Sequence, residues 1–132
     1  MTDANILGVL DMPARSRELR HARRWLHDVV TADHAEIGDD VVLLGCELAT
    51  NAIRYSDSVK LTIIVLAVDD AIRVEVIDAG SDVHIPRIMD PGLNMERGRG
   101  LQMVNEITQG RWGTHADENG RVVWFERPFK IA

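Results

Sequence analysis

Glu47 and Asn51 stand four residues apart in CELATNAIRYS, Cys46 to Ser56, whose apolar spacing is that of a helix. Residues four apart on a helix share a face. A carboxylate and a carboxamide therefore sit together at the margin of an apolar stripe, where burying them without partners is costly. Such a pair suits work on a metal and a water. Magnesium prefers oxygen ligands and keeps several waters, so the amide oxygen of Asn51 together with phosphate oxygens makes a reasonable set. The carboxylate of Glu47, one turn away, is suited to accept a proton from an attacking hydroxyl.

Two further stretches carry polar chemistry. In the segment Ile72 to Ala79, alternation puts Asp78 on the face of Ile72, Val74 and Val76, a carboxylate at the end of an inward-facing apolar set. It is an acceptor suited to an exocyclic amine such as that of adenine. Gly98-Arg99-Gly100 closes a segment from Ser81 to Gly100 that has no apolar periodicity and is punctuated by Pro86, Pro91 and Gly92. Glycines there let backbone amides approach phosphates, and a helix opening at Leu101 would add its positive end. Each motif alone is common: E-x-x-x-N as a surface pair, Asp-x-Gly as a turn, G-x-G as a loop–helix junction. Their order and spacing together are far more specific.

The elements that must position these residues follow from periodicity. A short strand is expected over Asn5 to Met12. A helix from Pro13 to about Thr31 follows, with Leu19, Ala22, Leu26 and Val29 on one face. Its other face carries Arg17, Arg20, Arg24 and Asp28, with Arg15, His21 and Arg23 nearby. This basic stripe reads either as a solvated face or as a docking surface for an acidic partner. Nothing around His21 supports a phospho-acceptor role. A second helix is expected from Asp39 to Tyr55, burying Val41, Leu44, Leu48, Ala52 and Tyr55. Strands are expected over Val59 to Val68 and Ile72 to Ala79 with a turn at Asp69-Asp70. A helix then runs from Leu101 to a stop at Gly110, and two strands, Arg111 to His115 and Arg121 to Arg127, flank a hairpin signal at Asn119-Gly120. In the last strand Val123 and Phe125 point one way and Val122 and Trp124 the other. A mostly antiparallel sheet with helices on one face, an α+β two-layer sandwich, buries all these stripes.

The bulk properties agree. At 132 residues the chain, 1–132, is expected to be one domain, and 45% hydrophobic with 27% charged residues is ordinary for a soluble globule. A formal charge of −6 argues against general nucleic-acid binding, and no apolar run is long enough to span a bilayer. Cys46 is the single cysteine, which excludes an intrachain disulfide and fits a reducing, cytoplasmic setting.

ELATNAIRYS, VEVIDAGSD and RGRGLQMVNEITQGRWG followed by VVWFE resemble the N, G1 and G2 boxes of the GHKL (histidine kinase-like) ATPases. The likeness is to the short stand-alone bacterial anti-sigma-factor serine/threonine kinases and their actinobacterial relatives, and it covers nearly the whole chain. It implies a Bergerat fold binding ATP and Mg2+. Glu47 would be the general base, Asn51 the magnesium ligand and Asp78 the adenine-reading carboxylate. Gly80 would support the adenine pocket, and the loop from Val83 to Gly98 would be the ATP lid. Gly98, Gly100 and the helix start at Leu101 would serve the phosphates, with Arg87, Arg97 and Arg99 as cationic candidates in a short lid. The implied partners are a sigma factor and an anti-anti-sigma antagonist, and the family often forms homodimers. Two departures stand out. Ser81-Asp82 replace a second glycine of the G1 box. Val122 stands where many relatives have a threonine bonding near adenine, and losing one buried hydrogen bond costs on the order of 1 kcal/mol.

The resemblance leaves several activities to separate. One is a kinase that phosphorylates a serine or threonine of the antagonist, so that the sigma factor stays sequestered. Others are a nucleotide-dependent binding module without catalysis, a detached histidine-kinase catalytic domain, and a domain whose boxes are relics and which binds only protein. Intact Glu47 and Asn51 favour the enzyme; Val122 favours the module.

Overall fold

β-Branched residues with a two-residue alternation make strands of Lys60–Val68 (β2) and Ala71–Asp78 (β3), joined by the turn at Asp69 and Asp70. The computed structural model describes residues 5–79, 95–117 and 120–130. The remaining elements are β1 (Asn5–Pro13), α1 (Leu19–Thr31), α2 (Gly38–Tyr55), α3 (Met95–Thr108), β4 (Trp112–Asp117) and β5 (Gly120–Pro128). Single 3₁₀ turns, Ser16–Glu18 and Ala35–Ile37, lead into α1 and α2. The five strands form one sheet in the order β1-β2-β3-β5-β4, every pairing antiparallel.

The helices cover one face. Leu61, Ile63 and Val65 of β2, Ile72, Val74 and Val76 of β3, and Phe125 of β5 are buried against Leu26 and Val30 of α1, Val41, Leu44 and Leu48 of α2, and Leu101 and Val104 of α3. This is the expected two-layer α+β sandwich. At a transfer free energy of about 1.5–3 kcal/mol per fully buried large apolar side chain, this shared face is the main source of stability. A polar tie crosses the layers among the described residues: Arg127 of β5, nearly buried, donates through Nε to Asp40 Oδ2 in the first turn of α2 at 2.8 Å.

Two element boundaries differ from expectation. Pro13 closes β1 instead of opening a helix: it pairs with Lys60, and the next amide, Ala14 N–H, donates to the Val59 carbonyl at 2.9 Å. The sheet ladder thus continues past the proline, and α1 begins only at Leu19. The third helix begins at Met95 rather than Leu101, so Gly98 and Gly100 are helical. Each glycine costs a helix roughly 1 kcal/mol relative to alanine. The burial of Gly100 and Leu101 supplies the compensation. The stop at Gly110 is as expected: its φ is 84° and its amide donates to the Asn105 carbonyl at 2.9 Å.

Candidate functional site

α2 carries the polar pair as the spacing required. Leu44, Leu48 and Ala52 are buried on one side, and Glu47 and Asn51 are half-buried along the edge of that stripe. Asn51 Nδ2 is fully shielded from solvent and has no hydrogen-bond partner among the described residues. A buried orphan of this kind costs about 1–3 kcal/mol. The two atoms of an amide end are interchangeable by rotation, so this position offers either a donor or an acceptor. An oxygen there fits a hard cation such as Mg2+. Among the described residues no group of three or more His, Cys, Asp or Glu is placed to hold a metal by itself. A cation at Asn51 would therefore take its other ligands from phosphate and water.

Glu47 meets α3 directly. A Cβ built on Gly100 would fall on the Glu47 carboxylate, overlapping Oε1 and lying 2.9 Å from Cγ. Glycine at 100 lets this turn of α3 close over the carboxylate without displacing the Glu47 side chain. Leu101 is fully buried, so its side chain belongs to the core. The expectation that a helix opens at Leu101 is corrected: the helix opens at Met95. An amide at 100 or 101 lies inside a helix that began at Met95, where amides are bonded to carbonyls four residues back. The side chains of Arg97 and Arg99, the surroundings of Gly98, and Gly80 with the lid from Val83 all lie outside the described residues.

Asp78 is buried at the end of β3, 7% exposed, on the same face as Val74 and Val76, as the alternation predicted. Its cross-strand partner on β5 is Arg121, whereas Val122 pairs with Ile77. Directly opposed residues of an antiparallel pair point to the same face. Val122 therefore lies on the side of the sheet away from Asp78, and a threonine there would not reach what Asp78 reads. The gap assigned to Val122 is removed by this register, and Arg121 is the β5 residue that shares Asp78's face. Gly120, flagged by the hairpin signal alone, has a tighter duty. Its φ is 134°, and a Cβ would overlap the Asp78 carbonyl oxygen and lie 3.0 Å from its carbon. β5 can start opposite Asp78 because residue 120 has no side chain.

A second feature lies between α1 and α2. Arg20, Arg23, Arg24, His27 and Asp28 of α1 and Asp39, Val42, Leu43 and Cys46 of α2 line a groove of about 630 Å³. Leu43 is 48% exposed. Burial pushes the Cys46 thiol pKa up, and a hydrogen bond from Arg23 draws it partly back.

No helix among the described residues is long and apolar enough to cross a membrane. The sequence pattern of the histidine kinase-like ATPase domain family matches residues 12–126, nearly the whole chain. A comparison with curated proteins found no match. The chain belongs to the histidine kinase-like (GHKL) ATPase domain family, which makes it an ATP-binding domain.

Proposed function

We propose that this histidine kinase-like ATPase domain binds ATP with Mg2+ and transfers the γ-phosphoryl group to a serine or threonine of a partner protein. The observation that carries the reading is the buried, unpartnered amide of Asn51 one turn from Glu47. In this reading Asn51 and the phosphates hold Mg2+, which when bound neutralises phosphate charge. Asp78 accepts a hydrogen bond from the exocyclic amine of adenine. Glu47 takes the proton as the partner's hydroxyl oxygen bonds to the γ-phosphorus. The bond from that phosphorus to the β,γ-bridging oxygen breaks, and ADP leaves with the electron pair. The residues assigned to the phosphates in this reading are Gly98, Gly100 and Leu101, with Arg97 and Arg99.

The partner switch is proposed on the same footing. The phosphorylated protein is an anti-anti-sigma antagonist, the retained one a sigma factor, and the setting cytoplasmic. The basic groove between α1 and α2 supports a protein partner with an acidic face. Its arginines stand out on a chain of net charge −6. A homodimer is compatible with this scheme.

A non-catalytic nucleotide-dependent module is the second reading, favoured by the helical placement of Gly98 and Gly100. Calorimetric titration of the purified chain with ATP and Mg2+ comes first: no heat of binding ends both readings. Glu47→Gln then separates them. The kinase reading expects phosphoryl transfer to fall by about 10²–10⁴-fold with ATP affinity kept, and undiminished transfer would remove Glu47 as the base. Acid stability of the phosphoprotein distinguishes phosphoserine from phosphohistidine.

A further inference from the structure

Ser56 and Ser58 join the two halves of the candidate site, and neither stands out in the sequence. Ala79 N–H, immediately after Asp78, donates to Ser58 Oγ at 2.6 Å. Ser58 Oγ lies 2.8 Å from Ser56 Oγ. Ser56 Oγ lies 2.6 Å from the Ala52 carbonyl, the residue after Asn51, which also accepts the Ser56 amide at 3.2 Å. Each hydroxyl has one proton, which fixes the direction of the chain. The Ala52 carbonyl can only accept, so Ser56 donates to it. Ser56 Oγ then accepts from the Ser58 hydroxyl, and Ser58 Oγ accepts from the Ala79 amide. The Ser58 amide, 3.3 Å from Ser56 Oγ, adds a weaker link.

We propose that Ser58, backed by Ser56, is a positioning residue that holds the end of β3, and with it Asp78, at a set distance from the helix carrying Asn51. The inference rests on the nucleotide-binding reading. The only connection between α2 and β2 is the short segment 56–59, and Val59 is 87% exposed, so its packing does little to hold the segment in place. The segment is held on one side by the Val59 carbonyl, which accepts the Ala14 amide at 2.9 Å, and on the other by the hydroxyl chain to β3. Asp78 reads one hydrogen-bonding group on a base, which makes its placement matter more for base choice than for phosphate binding. A cavity of about 230 Å³ borders Ser58, Thr62 and Asp78, and Ser58→Thr keeps the hydroxyl beside it.

The test compares ATP with ITP, which carries an oxygen in place of the exocyclic amine. Calorimetry with Mg2+ on the full chain is expected to show Ser58→Ala weakening ATP about fivefold, the worth of one hydrogen bond. ITP should move by less than twofold, so the ATP/ITP preference narrows. Ser58→Thr restores it. Amide exchange at Ala79, read without nucleotide, should quicken in Ser58→Ala and return in Ser58→Thr. Equal losses for ATP and ITP, or no loss for ATP, overturn the positioning role. A wild-type chain that binds neither nucleotide sinks the ATP reading and the relay's role with it. Wild-type binding with an unchanged Ser58→Ala variant sinks the relay alone.

Discussion

On the face of the sheet away from the helices, Arg73 donates to Glu75 and Glu126 at 3.0 Å each and lies 4.1 Å above the Trp124 ring. Arg111 spans Glu126 at 2.6 Å and Asp70 at 2.8 Å. On the helix side, Asn51 keeps a buried amide with no partner among the described residues, and Gly100 leaves its Cβ space to Glu47. The two regions teach a rule for telling structural polarity from functional polarity. Charges that serve the fold close their bonds among themselves. The amide of Asn51 instead holds a bond open and lowers stability in doing so.

That contrast is open to attack by mutation. A large effect on both activity and stability is expected at Gly100→Ala, whose methyl would displace the Glu47 side chain. Nucleotide-dependent activity should fall more than tenfold, with a stability loss of about 1–3 kcal/mol from overpacking, read from activity assays beside urea unfolding. Asn51→Leu should divide the two properties. Metal-dependent nucleotide binding is lost, while the nucleotide-free protein gains about 1 kcal/mol because a buried orphan is gone. A less stable Asn51→Leu protein would show that the amide is satisfied. Arg73→Ala should do the reverse. It removes two partly shielded ion pairs and a ring contact, for a loss of about 1–2 kcal/mol, and leaves ATP affinity alone. The smallest change belongs to Asp70→Asn. A hydrogen bond from Arg111 holds the Asp70 carboxyl below its ordinary pKa. The folded state therefore binds that proton less readily than the unfolded chain. The contribution is complete above the unfolded carboxylate range and is lost as pH falls through the lower folded value. Melting curves of wild type and Asp70→Asn should differ slightly at neutral pH and converge in acid.

Local pattern reached much of this molecule. Apolar spacing alone set Leu44, Leu48 and Ala52 inside and left Glu47 and Asn51 at the edge, and alternation alone turned Asp78 inward. It failed where a neighbour in space decides. Gly98 and Gly100 read as loop punctuation because glycine is a poor helix former. The contact with Glu47, on another helix, is what favours a residue without Cβ at 100. Val122 looked like a missing hydrogen bond at the base, and only the pairing of β3 with β5 shows that it faces the other side and that Arg121 lies opposite Asp78. Ser58 was invisible because its bond runs to a strand 21 residues away, and no periodicity encodes such a link.

The crowding of arginines on α1 has a consequence at a distance. Residues 13–31 hold five arginines and two acids in a chain whose sum is −6, so positive charge is concentrated beside the α1–α2 groove. At physiological ionic strength such a field reaches about 8 Å beyond the surface. A partner with an acidic face would be turned toward the groove before contact, and its association rate would fall as salt is raised while its dissociation rate changed little.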